Sequence, residues 1–341
     1  MTPEKNLSPF TAEVATDPSL DTTVITLSYT HPSDPSHNIN VGLAPELGCN
    51  MFRFRVGEHD LMYADPELLL QKAFTGCFVL WPLPNRLRDK HYVYQGHSYS
   101  LADVKRPFPD NHLVHGLVLD RSWQFDSPVT TSDTASVTTY VDMTPNSPYY
   151  EGYPFASRLS LTFTLKTNGI TISYEVKNNG DKDMPYGFAL HPYFSLLSGK
   201  NNSYVSLPAD ELMEADPTLL PTGRMLNFDG IMYAMYDLRQ PTQLEHLYLD
   251  HVYTGVHHDQ SSILHLRQLR LKLHATASNE FSHIVIYSPH GDPFMCLENQ
   301  TCSTDAPNLA ARGLNDIAHL LEVHPGESAT GFIQYSVEYD Q

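Results

Sequence analysis

The sequence has few basic residues and no long apolar segment. It contains 21 lysines and arginines against 39 aspartates and glutamates, a formal net charge of −18. So acidic a surface repels nucleic acids and anionic lipids, and no window approaches the roughly 18 apolar residues of a membrane span. We therefore expect no nucleic-acid partner and no membrane partner. The charge suits a neutral or small ligand better than a heavily phosphorylated one.

Cysteine is scarce, and its spacing excludes the usual cysteine frameworks. Cys49, Cys77, Cys296 and Cys302 form no CxxC motif and no disulfide framework suited to a chain of 341 residues. The N-terminus is not followed by the apolar run of a signal peptide. Reduced thiols and a cytoplasmic location are the simplest expectation.

Several catalytic signatures are also missing. The chain has no GxSxG nucleophile elbow, no P-loop and no GxGxxG after a strand. Among its 18 histidines, the group around His257 and His258 has irregular spacing and no HExxH pattern. That group is more typical of a surface loop than of a metal site. We expect neither a metal nor another cofactor.

Long helical periodicity is scarce, whereas strand alternation is frequent. Apolar side chains alternate over residues 159–165, Asn168 and Gly169 make a turn, and the alternation resumes over residues 170–176. This pattern predicts a hairpin with one buried face. Thr22–Tyr29 reads as the first strand and residues 330–339 as the last. The chain therefore predicts an all-β fold, a large antiparallel β-sandwich.

The domain organisation follows from the same pattern. Residues 1–20 are polar and contain proline, which predicts a loosely held N-terminal arm. Residues 21–341 contain no internal repeat, low-complexity tract or clear linker. They therefore predict a single β-sandwich domain.

The stretch over residues 293–301 reads as a strand that delivers one acidic side chain. Phe294, Cys296 and Glu298 share one face of that strand. A carboxylate buried there without partners would be costly. Spacing alone therefore favours a solvated glutamate at the end of the strand.

Other polar groups stand beside structurally demanding neighbours. Two prolines fix the backbone before Asn85 and Arg86, and Gly116 follows His115. His191 lies in an aromatic stretch, and Asp250 lies on an apolar strand. Taken singly, Asn85 and Arg86 suit a surface turn better than a site, the His-Gly pair is common by chance, and Asp250 suits a turn aspartate. For His191 alone, a core histidine and a functional histidine fit equally well. Together they suit proton transfer on a neutral sugar or polyol, or a lectin-like binder.

In this order, the clusters resemble the aldose 1-epimerase (galactose mutarotase) family over roughly residues 40–337. The order is an N-R turn, H-G, E-G-Y-P at residues 151–154, H-P-Y-F, a strand aspartate, and E-x-x-T followed by D-A-x-N. No single motif is specific, but six in register are. The resemblance implies a galactose mutarotase-like supersandwich.

The resemblance also implies an isomerase that interconverts sugar anomers without a cofactor. Glu298 would be the general base, His191 the general acid, and His115 would assist at the ring oxygen or bind a hydroxyl. The substrate-binding residues would be Asn85, Arg86 and Asp250. We further expect Glu298 and His191 to come from distant strands and to face one another across an open cleft, beyond direct contact, with room for one pyranose.

Three other functions stay open at this stage. A hexose-6-phosphate mutarotase would need basic residues at the rim, for which Arg86, Arg88 and Lys90 are candidates. A non-catalytic carbohydrate-binding protein would bind sugar without exchanging its anomers. A glycosidase would need a second carboxylate beside Glu298 and ranks last.

Overall fold

The structure, a computed structural model, describes residues 8–106, 110–229 and 232–340. Its α-helices are short: α1 (Pro66–Leu70), α2 (Ala306–Ala311) and α3 (Asn315–Ala318). The strands, numbered in chain order, are β1 (Phe10–Asp17), β2 (Thr22–Tyr29), β3 (Ile39–Ala44), β4 (Asn50–Val56), β5 (His59–Asp60), β6 (Cys77–Leu80), β7 (Arg86–Leu87), β8 (His91–Tyr94), β9 (His97–Ser100), β10 (Leu113–Val114), β11 (Gln124–Phe125), β12 (Val129–Thr130), β13 (Ala135–Met143), β14 (Ser157–Lys166), β15 (Gly169–Asn178), β16 (Met184–Tyr186), β17 (Ala189–Ser195), β18 (Ser203–Ser206), β19 (Ala209–Ala215), β20 (Pro221–Asn227), β21 (Thr242–Gln243), β22 (Leu249–Val256), β23 (Ser262–Leu266), β24 (Leu271–Ala277), β25 (His283–Ser288), β26 (Phe294–Gln300), β27 (Leu321–Val323) and β28 (Ser328–Tyr339).

Three antiparallel sheets make up most of the fold. A five-stranded sheet runs in the order β1-β2-β3-β4-β5. A ten-stranded sheet has the main path β11-β13-β14-β15-β28-β24-β23-β18-β21, and a seven-stranded sheet runs β20-β19-β22-β25-β26-β17-β6. The expected all-β, antiparallel sandwich is confirmed. The predicted hairpin is also confirmed, because β14 and β15 pair along their whole length.

The seven-stranded sheet has two differently used faces. Met295 and Leu297 of β26 pack in the main core with Leu161 of the ten-stranded sheet. Cys296 points the other way, into a smaller apolar cluster with Tyr193 of β17. Successive side chains on a strand alternate between faces, so one face closes the sandwich and the other is left for a site.

The N-terminal region differs from its prediction. Thr22–Tyr29 is a strand as predicted, but it is the second strand, because Phe10–Asp17 precedes it and pairs with it residue by residue. The prediction of a loose arm is therefore wrong for this part of residues 1–20. Ladder hydrogen bonds and the burial of Phe10 hold a segment whose other side chains are exposed or only partly buried. Residues 1–7 of the predicted arm lie outside the described residues, and the single domain over residues 21–341 stays a prediction.

Across the three described ranges, no helix has the length and apolar character needed to cross a membrane.

Candidate active site

Two neighbouring strands bring the predicted acid and base together. Ala189 of β17 pairs with Gln300 of β26, and Tyr193 pairs with Cys296. Between these two pairs, the antiparallel register sets His191 opposite Glu298. Both side chains share the parity of Tyr193 and Cys296, so they project from the face turned away from the main core.

The two side chains are in direct contact. Nε2 of His191 lies 3.2 Å from Oε1 of Glu298, and Oε2 of Glu298 accepts a hydrogen bond from Nε2 of Gln300 at 3.2 Å. Only 2% of the Glu298 side chain is exposed. The glutamate is therefore a buried and hydrogen-bonded member of a central strand, and the expectation from spacing alone of a solvated strand end is wrong.

The expected gap between acid and base is also wrong. His191 and Glu298 are far apart in sequence, but their strands are neighbours in the sheet. Neighbouring strands lie about 4.8 Å apart, which leaves no room for a sugar ring between directly opposed side chains. A ligand therefore has to approach the pair from one side.

Aromatic rings fix the orientation of the His191 imidazole. Phe78 stacks on it with ring centroids 4.7 Å apart, and Tyr193 stacks on it at 5.0 Å. His115 meets the same ring edge-on at 4.9 Å. This packing preorganises the nitrogen that contacts Glu298.

A second segment brings polar groups to the same region. Arg86 of β7 pairs with Val114 of β10, and the His115 backbone N–H donates a hydrogen bond to the Asn85 carbonyl at 2.8 Å. Asn85 and His115 both adopt left-handed backbone conformations, with φ of 57° and 65°. The rigid turn predicted from the two prolines thus joins the His-Gly segment.

One cavity of about 540 Å³ is lined by every predicted site residue. The structure brings to it Asn85, Arg86, His115, His191, Asp250 and Glu298. Asp250 reaches the cavity from β22, which pairs with β25, the other neighbour of β26. Five separate segments of the sequence therefore contribute polar side chains to one cavity, and only Asn85 and Arg86 are neighbours in the chain.

The sequence argument missed most of the cavity wall. The further aromatic lining residues are Tyr63, Phe74, Tyr193, Tyr248, Tyr287 and Phe294. Tyr193 and Phe294 could have been found, because they share strand parity with His191 and Glu298. The other aromatic residues carry no local signal, because only the packing of distant segments brings them to the cavity.

Burial sets the protonation preferences of the contacting pair. It raises the pKa of Glu298 well above its usual value, and the Asp250 charge adds to this, while the Gln300 hydrogen bond and the Arg86 charge oppose it. Burial lowers the pKa of His191 to about 3. Both shifts favour the neutral forms of the two side chains, which are a protonated glutamate and a neutral imidazole.

The pair can change its charge state without gaining or losing a proton. A carboxylic acid beside a neutral imidazole has the same proton count as a carboxylate beside an imidazolium. One proton moving across the 3.2 Å contact between Glu298 and His191 interconverts the two forms. The site is therefore suited to give one proton and take another in the same step.

Other charged side chains line the same cavity. Nε of Arg86 lies 3.9 Å from Oδ2 of Asp110. Burial raises the pKa of Asp250, and the Arg86 charge partly offsets that rise. A forked cation and carboxylates in one cavity provide donors and acceptors for several hydroxyl groups.

The described residues form no group of three or more His, Cys, Asp or Glu side chains that could hold a metal ion.

The sequence of this chain is similar to that of a known protein family. Residues 43–336 match the family model described as aldose 1-epimerase. The uncharacterized protein YihR of Escherichia coli is 30% identical over 42% of this chain and 44% of its own length. The galactose mutarotase of Pongo abelii is 28% identical over 54% of this chain and 51% of its own length. The chain thus spans about half the length of these curated relatives.

A solved structure shares the fold. It is a galactose mutarotase-like protein from Clostridium acetobutylicum, which superposes with a TM-score of 0.81 over 98% of this chain and 100% of its own. The two sequences are 18% identical, so the likeness establishes the β-sandwich and its topology.

Proposed function

The chain belongs to the aldose 1-epimerase family of isomerases, and we propose that it interconverts the α and β anomers of a free, uncharged hexose. The observation that carries this proposal is the buried contact between Glu298 and His191 at a cavity that also contains Arg86 and Asp250. The contact supplies an acid and a base, and the other two side chains supply hydroxyl ligands.

The reaction needs one proton removed and one proton added. Glu298, as the carboxylate, takes the proton of the C1 hydroxyl while His191, as the imidazolium, gives a proton to the ring oxygen O5. The C1–O5 bond breaks and an open-chain aldehyde forms. Rotation about C1–C2 presents the other face of the carbonyl, and the ring recloses as both protons return.

The direct contact suits this chemistry better than the expected gap. The hydroxyl oxygen O1 and the ring oxygen O5 are both bonded to C1, so the two reacting oxygens are close neighbours. Side chains that face each other from adjacent strands can reach both oxygens from the same side. After ring opening the pair is left as a carboxylic acid and a neutral imidazole, the form that burial favours.

The remaining predicted residues orient the sugar in this proposal. Arg86 and Asp250 bind hydroxyls, Asn85 supports them, and His115 assists at the ring oxygen or binds a hydroxyl. All four line the cavity. Aromatic rings such as Tyr287 and Phe294 offer flat apolar surfaces to the C–H face of a pyranose.

The charges of the cavity favour a neutral sugar over a sugar phosphate. Among the described lining residues, Arg86 is the one lysine or arginine, and it stands with the acidic Asp110, Asp250 and Asp292. Of the other candidate cations, Arg88 faces Asp216 and Asp305. Lys90 donates to the Val104 carbonyl. Galactose and glucose are therefore the first substrates to test, since two relatives or neighbours carry galactose mutarotase in their names.

The proposal is tested by polarimetry on freshly dissolved α-galactose and α-glucose. The wild-type protein should accelerate mutarotation of at least one sugar. Glu298→Gln should lower that acceleration about 10²-fold or more, because it deletes the base with almost no change in volume. Glu338→Gln is the matched control, since Glu338 lies on β28 and not among the cavity residues.

The outcomes separate the competing functions. Full activity in Glu298→Gln would mean that another group is the base. Sugar binding without anomer exchange in the wild-type protein would favour a carbohydrate-binding protein. Faster exchange of glucose 6-phosphate than of glucose would favour a hexose-6-phosphate mutarotase.

A further inference from the structure

Asp305 is a buried carboxylate that does not line the proposed sugar cavity. Only 1% of its side chain is exposed, and it follows the Glu298 strand at the start of α2. Its backbone has φ of 57°, a left-handed conformation that glycine adopts freely and that Asp and Asn adopt only occasionally. A buried acid in a strained position calls for a structural reason.

Asp305 holds both ends of the segment from Arg86 to Arg88. Its backbone N–H donates to the Arg86 carbonyl at 2.9 Å. Its Oδ1 accepts from the Arg88 backbone N–H at 3.0 Å. Oδ2 lies 3.5 Å from Nε of Arg88. The hydrogen bonds to the Arg86 carbonyl and to the Arg88 N–H leave the backbone of β7 little freedom to move.

The carboxylate is itself held in place. Nδ2 of Asn308 donates to Oδ1 of Asp305 at 2.7 Å and to the His91 carbonyl at 2.8 Å. The first turn of α2 is thus tied to β8, which follows the Arg86 segment in the chain. The contacts form a closed network, so Asp305 cannot shift alone.

This network joins the strand of the base to the segment of the cation. Glu298 and Asp305 belong to one continuous segment, and β10 holds the opposite side of the Arg86 segment. We propose that Asp305 is a positioning residue, which fixes the Arg86 guanidinium relative to Glu298 through the backbone of residues 86–88. The proposal rests on the function proposed above, in which Arg86 binds a sugar hydroxyl.

The position allows a clean pair of variants. Asp305→Gly keeps the left-handed backbone and the N–H that bonds Arg86, but it deletes both carboxylate oxygens. Asp305→Asn keeps an oxygen for the Arg88 N–H and tolerates the same backbone. Asp216→Asn is the control, because Asp216 faces the Arg88 side chain at 3.8 Å and does not hold its backbone.

The expected result is a change in KM with little change in kcat. Asp305→Gly should raise KM for the sugar about tenfold, the scale of one hydrogen bond to a charged group. Asp305→Asn and Asp216→Asn should stay within about twofold of the wild-type KM. Unchanged KM in a folded Asp305→Gly variant, or an equal loss in Asp305→Asn, would overturn the proposal.

A double-mutant cycle tests whether Asp305 acts through Arg86. In an Arg86→Ala background, Asp305→Gly should add almost nothing to the rise in KM. Additive effects would show that Asp305 acts by another route and would contradict the proposal. Thermal melting of each variant separates these results from loss of folding.

A measurement without sugar separates this inference from the proposed function. In NMR spectra of the free protein, Asp305→Gly should shift the Arg86 Nε–H signal and speed exchange of the Arg88 amide. Asp305→Asn should do neither. If the wild-type protein neither binds nor converts a hexose, the proposed function fails, and these signals still decide whether the carboxylate positions Arg86.

Discussion

Burial dominates the chemistry of single residues in this protein. It raises the pKa of Glu298 and lowers the pKa of His191 to about 3, although the two side chains touch. A charged pair in this buried site would lose the solvation of both charges. The attraction across one contact does not compensate for that loss. Burial therefore favours the neutral pair, and we expect the charged pair to form only when a substrate supplies new partners.

The same effect makes the fold sensitive to acid. His283 is fully buried on β25, and burial, with the His319 charge adding to it, lowers its pKa from 6.5 to about 3. Between these two values the unfolded state binds a proton that the folded state does not. The neutral histidine therefore contributes its full share to the free energy of unfolding above the unfolded pKa. That contribution is lost as pH falls from about 6.5 towards 3, by up to about 1.4 kcal/mol per pH unit for each such histidine.

We predict that His283→Gln flattens this dependence. Glutamine keeps a similar volume and cannot take up a proton. The free energy of unfolding, measured by urea denaturation from pH 7 to pH 4, should fall less steeply with acid in the variant than in the wild-type protein. An unchanged slope would show that His283 titrates alike in both states. His257→Gln is the control, since that histidine is half-exposed.

At the scale of elements, strand alternation and strand order build the site. On β26, Met295 and Leu297 enter the main core while Cys296 and Glu298 face the cavity side. A shift of one residue in the register would exchange these two sets. The pairing of β26 with β17 then sets Glu298 beside His191.

The turn that carries His115 depends on the glycine after it. Gly116 has φ of +67°, and a Cβ added there would lie 2.4 Å from the Trp81 carbonyl oxygen. The Leu117 N–H donates to that same carbonyl at 2.7 Å, so the two segments cannot separate without losing a hydrogen bond. The close approach of two backbones is what requires glycine here.

We predict that Gly116→Ala reduces both stability and activity. The left-handed backbone should cost about 1–2 kcal/mol, and the clash with a backbone oxygen about 1–3 kcal/mol more. Gly96→Ala is the matched control, because Gly96 has φ of +76° but nothing lies within 4 Å of its added Cβ. In urea denaturation, Gly96→Ala should lose only the free energy that the left-handed backbone costs, and its mutarotation rate should be unchanged. Equal losses in the two variants would contradict the clash.

At the scale of the whole molecule, the net charge of −18 acts on charged ligands and leaves neutral ones unaffected. A free hexose carries no charge, so its binding has no long-range electrostatic contribution. A sugar phosphate is repelled by the whole surface and again by Asp110 and Asp292, which line the cavity.

We predict a corresponding difference in salt dependence. For galactose, kcat/KM should change less than about twofold between low salt and about 0.5 M NaCl, where the Debye length shortens to a few ångströms. For glucose 6-phosphate, kcat/KM at low salt should be at least about tenfold lower than for glucose. It should rise with added salt, because salt screens the repulsion. A salt-independent rate on the phosphate, equal to that on glucose, would contradict this view of the cavity.

Most of the fold was predictable from the chain. Alternation over residues 159–176 identified the central hairpin, and the order of six short motifs identified the family. Phe10–Asp17 was missed because its polar residues resemble a tail, and only its partner strand makes it a strand. Local patterns report local structure, and pairing supplies the rest.

The site shows the same division. The sequence by itself determined which polar residues stand out, including Glu298, His191 and Arg86, and it determined the alternation that puts Glu298 on one face of its strand. Only the tertiary structure decided that Glu298 is buried, that it touches His191, and that aromatic rings close the cavity around them. The physical reason is that exposure, contact and pKa depend on which strands become neighbours, and residues more than a hundred positions apart meet only through the order of strands in the sheet.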